Sequence, residues 1–401
     1  MIRKIKRTTR KTNSWATPPK PYIAIVAGEP SGDSLGAGLI DALSQRYPGV
    51  DFLGVGGNQM RSKGFVSLYP IDKLSINGLF QPIGHFFRLI FLVARLEYYF
   101  LKHRPEVFIG IDFNAFNLIL ERRLRRKGVK IVHYVSPSVY AWRSWRAKRV
   151  ASSADMLLTL FPFESAFYSD LELKVKYVGH PLADAIPLDA QKKQSRIIKS
   201  SRFGISLEQP CVAMLPGSRL GEFKKIAPIF LASARRINSV YGDVVFLIPC
   251  VSRDIKNLAD VMVKSCSDLN IITYSGDSKI GLQACDVVLT KAGTSTLEAL
   301  LLGRPMVVAY KLDLLSYWII RLLLKTPYVA LPNILFGKRL VDEYIQHKAT
   351  PKILSDRIIS LLDREYDHSH YLHTAAGIHK DLAQNANERA AEAVANLLGE
   401  A

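Results

Sequence analysis

Short apolar runs alternate with longer amphipathic stretches along almost the whole chain. Tyr22 to Ala27, Phe52 to Val55, Val107 to Ile111, Ile131 to Val135, Met156 to Leu160 and Val175 to Val178 have the length and composition of strands covered on both faces. Between them, Asp33 to Tyr47 and Asn117 to Lys127 carry helical periodicity. A second series follows: Cys211 to Leu215, Val244 to Ile248, Ile271 to Tyr274, Cys285 to Leu289 and Met306 to Ala309, with helices at Glu222 to Val240 and Asp254 to Cys266. Pro187 to Ser201 is polar and charged and reads as the link between the two series. A last helix, Asn387 to Leu398, has an Ala390/Ala391, Val394, Leu397/Leu398 stripe. Strands alternating with helices predict an α/β protein of two doubly wound parallel sheets. No repeat of solenoid period is present.

In such sheets, ligands bind beyond the carboxyl ends of the strands, so the turns there are read for chemistry. Lys291-Ala292-Gly293-Thr294-Ser295-Thr296-Leu297-Glu298 joins a strand to the helix Thr296 to Leu302. It sets Gly293 and the hydroxyls of Thr294, Ser295 and Thr296 at a helix start, where unpaired amides favour a phosphate. Glu298, one turn on, suits sugar hydroxyls. Pro216-Gly217-Ser218-Arg219 is a second turn of this kind. Two such turns in one half point to a single nucleotide, with Arg219 and the helix starts neutralising a diphosphate leaving group. In the first half, Gly28 to Asp33, Asp112 and the Ser136-Pro137-Ser138 run fall at the corresponding edge. A transferase needs a base for its acceptor hydroxyl. Asp112 ends an apolar strand there; its structural alternative is a helix N-cap. Glu29 and Asp33 compete for the role, each equally able to serve as a cap or a substrate ligand.

Several chemistries are disfavoured by what is missing. No Walker A loop, complete dinucleotide fingerprint or Gly-x-Ser-x-Gly elbow occurs. Without an Asp-x-Asp pair, a metal-bridged diphosphate has no obvious ligands. His368, His370 and His373 sit in a polar segment without carboxylates at ligand spacing and read as a solvated surface. The four cysteines make no Cys-x-x-Cys pair and read as buried thiols of a reducing compartment.

Charge changes the picture. The chain carries a formal +19, and residues 1–20 hold seven basic residues and no acidic one. That head lacks the apolar region of a secretory signal and reads as a disordered basic arm. The excess calls for a polyanionic partner. No nucleic-acid-binding motif is visible, which favours an anionic membrane. Phe86 to Leu101 is apolar but interrupted by Arg88, Arg95 and Glu97. Arg88, Arg95 and Lys102 share a face, and Phe86, Phe87, Leu89 and Ile90 stand beside it. Such a helix can lie in a membrane interface with its cations on the headgroups; a mostly buried helix with one solvated edge is the plainer alternative.

These blocks together resemble the lipid-A-disaccharide synthases, glycosyltransferases of family 19. The resemblance runs almost end to end from residue 22. It rests on Ala27 to Asp33, Gly54 to Met60, Phe108 to Asp112, Leu160 to Glu164, Val178 to Pro181 and Leu215 to Arg219. Lys291 to Glu298, Pro305 to Tyr310, Leu331-Pro332-Asn333 and, most specifically, His133 to Arg143 complete it. It implies two Rossmann-like domains of the GT-B type facing across a cleft. The expected division is 21–190 on the acceptor side and 200–377 on the UDP side, with a C-terminal helix, 378–401, returning to the first. It implies inverting transfer of 2,3-diacylglucosamine from its UDP derivative to the 6-hydroxyl of 2,3-diacylglucosamine 1-phosphate, without cofactor or metal. The reaction would run at the cytoplasmic face of the bacterial inner membrane, an anionic surface touched by the region around Phe86 to Leu101, with no nucleic acid involved.

By position, Asp112 falls on the family's proposed base. Ser218 and Arg219 fall on the diphosphate side, Glu298 near the ribose and Asn333 in the nucleotide-side loop. Ser31, Asp33, Ser136 and Ser138 are expected substrate contacts. The chain departs from the family pattern at Ala115, where a second Asp is usual, and at Asn77, Gln81 and Tyr140. These departures bear on acyl-chain preference more than on reaction type.

Overall fold

Why apolar runs become interior strands is plain in the computed structural model, which describes residues 21–71, 74, 83–137, 145–188, 198–199, 201–311, 326–363 and 365–399. The first half runs β1 (Tyr22–Ala27), α1 (Pro30–Arg46), β2 (Asp51–Gly56), α2 (Asn58–Ser62), β3 (Val66–Pro70), α3 (Ile83–His103), β4 (Phe108–Ile111), α4 (Asn114–Arg125), β5 (Ile131–Tyr134), α5 (Trp145–Ala151), β6 (Met156–Thr159), β7 (Lys174–Tyr177) and α6 (Pro181–Ala185). The second runs β8 (Cys211–Leu215), α7 (Leu220–Tyr241), β9 (Val245–Cys250), α8 (Arg253–Lys264), β10 (Asn270–Ser275), α9 (Ser278–Ala284), β11 (Val287–Lys291), α10 (Ser295–Leu301), β12 (Met306–Tyr310), α11 (Leu331–Phe336), β13 (Asp342–Ile345), α12 (Pro351–Leu362), α13 (Ser369–Leu382) and α14 (Ala386–Leu398).

The strands form two parallel sheets, ordered β3-β2-β1-β4-β5-β6-β7 and β10-β9-β8-β11-β12-β13. Each sheet reverses its winding once, between β1 and β4 and between β8 and β11. Every residue of β1, β4, β5, β6, β8 and β9 is buried, because helices cover both faces of a parallel sheet. On one face of the first sheet, Ile23, Ile25, Ile109 and Val132 pack with α1 and with Ala390, Ala391 and Val394 of α14. On the other, Ala24, Val26 and Phe108 pack with Leu96 and Phe100 of α3 and Leu120 and Leu124 of α4.

The chain therefore returns to its first sheet through α14. The crossing is fixed at α6, where the Asp184 carboxylate accepts the amides of Asn385 (2.9 Å) and Ala386 (2.6 Å) at the break between α13 and α14. Asn385 takes a left-handed conformation, φ 56°, that turns the chain there. The basic arm and most of the expected 187–201 link lie outside the described residues. Among the described residues, no helix is long and apolar enough to cross a membrane.

Candidate functional site

The two winding reversals carry the chemistry. At the first, Gly28 and Glu29 follow β1 while Asp112 and Phe113 follow β4; at the second, Gly217 to Arg219 follow β8 and Ala292 to Thr294 follow β11. A crevice opens at such reversals because neighbouring strands send their loops to opposite faces.

The β4–α4 turn is sharply bent. Asp112 and Phe113 both have positive φ, 47° and 46°. A side chain at Gly28 would overlap the Phe113 ring, so the glycine lets the two loops close on each other. The Asp112 amide donates to Tyr134 O at 2.8 Å, and Asn117 Nδ2 donates to the Asp112 carbonyl at 2.8 Å. Helix α4 begins only at Asn114, and its cap position is Phe113, so Asp112 is not a helix cap. Burial pushes the Asp112 carboxyl above its ordinary range, opposed by the nearby His133 and by the Phe113 amide. Glu29, half-buried, is raised first by burial and then by the Asp112 charge, and is drawn down by Arg219. Arg219 belongs to the second half, so Glu29 feels a cation across the cleft.

On the second side, Ser218 and Arg219 are exposed, Arg219 at the cap position of α7. Glu222, one turn into α7, holds Lys291 Nζ at 2.8 Å and lies 3.8 Å from Arg219. Lys291 also stands 5.7 Å from the centre of the Tyr310 ring. The two turns are thus tied together through one carboxylate. Gly293 and Thr294 are exposed, whereas Thr296 is buried and donates to Gly293 O at 2.7 Å. Ser295 is bonded to Thr290 at 2.9 Å. Glu298 accepts the Ser278 hydroxyl at 2.7 Å, and burial raises its carboxyl.

Three expected ligand residues have other tasks. Asp33 is buried, and its carboxylate accepts the amides of Gly57 (2.7 Å), Gln59 (3.0 Å) and Met60 (3.1 Å), so both of its oxygens are engaged at the start of α2. Ser136 is buried against Tyr168 OH at 2.8 Å. Asn333 is 1% exposed, donating to Val341 O and Glu343 and accepting the Leu340 and Val341 amides. Its amide holds a loop from inside. Ser31 is exposed at the start of α1. Ser138, Tyr140, Asn77, Gln81 and the Phe86 side chain lie outside the described residues.

Asn114, Glu121 and Glu222, for which no role was expected, complete the site's frame with His133 and Lys291, the first residues of two motif blocks. Asn114, Asn117 and Glu121 recur at helical spacing on the face of α4 that meets the sheet, a polar stripe where apolar residues are expected. That spacing was the available signal. On α3, Phe87, Arg88, Ile90 and Phe91 are exposed, Leu89 and Arg95 half-buried, while Leu92, Val93 and Leu96 face the core. Among the described residues, no three His, Cys, Asp or Glu gather as metal ligands.

Comparison with known proteins agrees with this architecture. The lipid-A-disaccharide synthase of Pseudomonas syringae pv. syringae is 42% identical over 382 residues, covering 95% of this chain and 98% of its own. That of Pseudomonas paraeruginosa is 43% identical over 376 residues, covering 94% and 98%. Among solved structures, the fold is similar to UDP-GlcNAc 2-epimerase from Neisseria meningitidis bound to UDP-GlcNAc (TM-score 0.64, 12% identity, covering 94% of this chain and 100% of that one). MurG of Acinetobacter baumannii, at TM-score 0.56 and 14% identity over 96% and 100%, shares it too. These are GT-B neighbours in fold. A sequence profile of the lipid-A-disaccharide synthetase family matches residues 23–396, so the chain belongs to that family of glycosyltransferases in lipid A biosynthesis.

Proposed function

We propose that the enzyme moves 2,3-diacylglucosamine, with inversion, from its UDP derivative to the 6-hydroxyl of 2,3-diacylglucosamine 1-phosphate. The observation that carries this reading is the opposition of Asp112 and Glu29, at the first winding reversal, to Arg219 at the second. Asp112 accepts the proton of the attacking hydroxyl. Its burial and its fixed turn suit a base, since a carboxyl lifted from its ordinary range binds that proton more firmly. Glu29 contacts the acceptor or competes as base. Ser31, exposed at the same edge, is an acceptor contact.

Arg219, Ser218 and the exposed Gly293-Thr294 turn with Ser295 receive the diphosphate, and Glu298 the ribose. The UDP-GlcNAc bound to the Neisseria meningitidis epimerase supports a nucleotide sugar as ligand of this fold. Inversion follows from a single displacement: the hydroxyl oxygen forms the new glycosidic bond as the bond to UDP breaks, and the diphosphate leaves with its charge held by Arg219 and backbone amides. Residues 21–190 with the C-terminal helix form the acceptor side and 200–377 the UDP side. The exposed apolar edge of α3 rests on the anionic cytoplasmic face of the inner membrane, where both lipids reside.

The test is mass spectrometry of products from defined acylated donor and acceptor. UDP release must require both substrates. Asp112→Ala is expected to lose at least about a hundredfold in turnover while still binding UDP. Turnover within a few-fold of the parent would remove Asp112 from the mechanism.

A further inference from the structure

Behind Asp112 lies a buried chain of polar side chains that takes no direct part in the displacement. Glu121, fully buried in α4, meets His133 Nδ1 at 2.7 Å; His133, also buried, is bonded through Nε2 to Asn114 Oδ1 at 3.1 Å; Asn114 Nδ2 donates to Asp112 Oδ1 at 2.9 Å. A polar chain of this kind beneath a sheet is costly unless it performs a task, since apolar side chains fill such space more favourably. The fold makes room for it at Gly110, where any side chain would overlap the Glu121 carboxylate.

We propose that Asn114, anchored by the buried His133–Glu121 pair, is a positioning residue that fixes the Asp112 carboxylate for proton abstraction. The inference rests on reading Asp112 as the base.

The hydrogen-bond directions support it. The carboxylate of Asp112 accepts from the Asn114 amide, which turns the amide oxygen toward His133. His133 Nε2 must therefore carry a hydrogen. One further proton then lies on the short Nδ1···Oε1 contact between His133 and Glu121. Burial resists charge on both partners, and the second Glu121 oxygen has no partner among the described residues. Glu121 and Asp112 nevertheless favour the protonated imidazole.

The pair stays neutral as a whole, but its proton can sit nearer either end. While Asp112 is ionised, the proton on His133 places positive charge toward it. Once Asp112 holds the proton of the acceptor hydroxyl, the pull that its charge exerted on the proton toward His133 is lost. No proton crosses the Asn114 amide, and none is gained or lost by the pair. Among the described residues, the charged groups around Asp112 are Glu29 from the β1–α1 turn, His133 from β5, Glu121 from α4 and, through Glu29, Arg219 across the cleft. The turn itself is independently held by Asn117, whose amide bonds the carbonyls of Val26, Ile111 and Asp112. Loss of Asn114 alone therefore releases the carboxylate without unmaking the loop.

The experiment compares Asp112→Asn, Asn114→Ala and Glu121→Gln with the parent in kcat against pH, using both acylated substrates, and in UDP affinity by calorimetry as a check on folding. Asn114→Ala is expected to lower kcat about 10- to 100-fold and leave UDP affinity unchanged. It should also move the acid limb of the profile to higher pH, because a hydrogen bond that favours the ionised carboxylate is gone. Glu121→Gln keeps a hydrogen-bonding partner for His133 while removing the charge, so a smaller loss with a shift in the same direction is expected. Inactive Asp112→Asn alongside Asn114→Ala and Glu121→Gln variants with parental kcat and pH profile overturns the positioning role and leaves the base intact. Active Asp112→Asn overturns both.

Discussion

Replacing Phe87 and Phe91 together by serine strips two exposed phenylalanines from α3. They are 63% and 70% exposed and one helical turn apart, so they point to one side of the molecule. A phenylalanine side chain presents about 200 Å² when fully exposed, so the two offer about 270 Å² of apolar surface. At about 25 cal/mol per Å² its complete transfer from water is worth about 7 kcal/mol. A helix lying in the interface submerges one face only, and half the transfer leaves about 3 kcal/mol, or about two orders of magnitude in partition coefficient.

The assay is sedimentation with vesicles of phosphatidylethanolamine and phosphatidylglycerol at fixed salt. The double variant is expected to shift from the pellet to the supernatant while its affinity for free UDP stays at the parental value, since α3 lies away from the second winding reversal. Leu92, Val93 and Leu96 keep the helix anchored in the core, so folding is not at stake. Vesicle association within threefold of the parent would refute the assignment of this face to the membrane and return the exposed residues to the ordinary scatter of apolar surface.

Other outcomes follow from the same geometry. Arg219→Ala is expected to weaken UDP binding by about 10- to 100-fold, the loss of one charge-assisted contact; unchanged calorimetric affinity would take Arg219 off the diphosphate. Glu164 is buried, and burial raises its carboxyl from 4.5 to about 8 despite the amides of Leu160 and Phe161 that it accepts. A folded-state value above the unfolded one gives stability that is full below pH 4.5 and is lost as pH rises toward 8, by an amount on the order of 5 kcal/mol across that window. Glu164→Gln retains an acceptor oxygen and cannot ionise, so its melting temperature should match the parent at pH 4.5 and exceed it at pH 8.5; equal pH dependence of the two proteins would show that Glu164 ionises freely in the fold. Asn333→Ala leaves the Leu340 and Val341 amides and Glu343 without their shared partner and should cost about 1–3 kcal/mol of stability; a thermal midpoint unchanged from the parent would remove its role inside the loop.

The strands buried on both faces were legible because each is a continuous apolar run. Tyr22–Ala27 and Cys211–Leu215 form with the bounds the pattern predicts. Helix starts were less so: α1 begins at Pro30, three residues before the apolar periodicity suggests, because proline is at home in a first helical turn. Of the four edge strands, β7 and β10 were legible as short apolar runs, whereas β3 and β13 were not. β13, Asp342–Ile345, opens with two acidic residues, and its Asp342 is held by Arg339 and Arg357 at the rim of the sheet. Edge strands keep one side in contact with solvent or helix ends and so tolerate charge that an interior strand excludes.

The order of residues by itself determined the α/β class, the four turns at the winding reversals and the family, since all depend on local periodicity and on motif blocks contiguous in the chain. Tertiary structure decided which polar side chains face the cleft. Asp33, Ser136 and Asn333 sit in motif blocks yet spend their oxygens on backbone amides or a buried tyrosine, while Asn114, His133 and Glu121, drawn from separate elements, meet behind Asp112. The reason is that a buried hydrogen-bonding group takes whichever partner packing brings within about 3 Å. That partner is often distant in sequence, so the motif records the residue and the fold assigns its task.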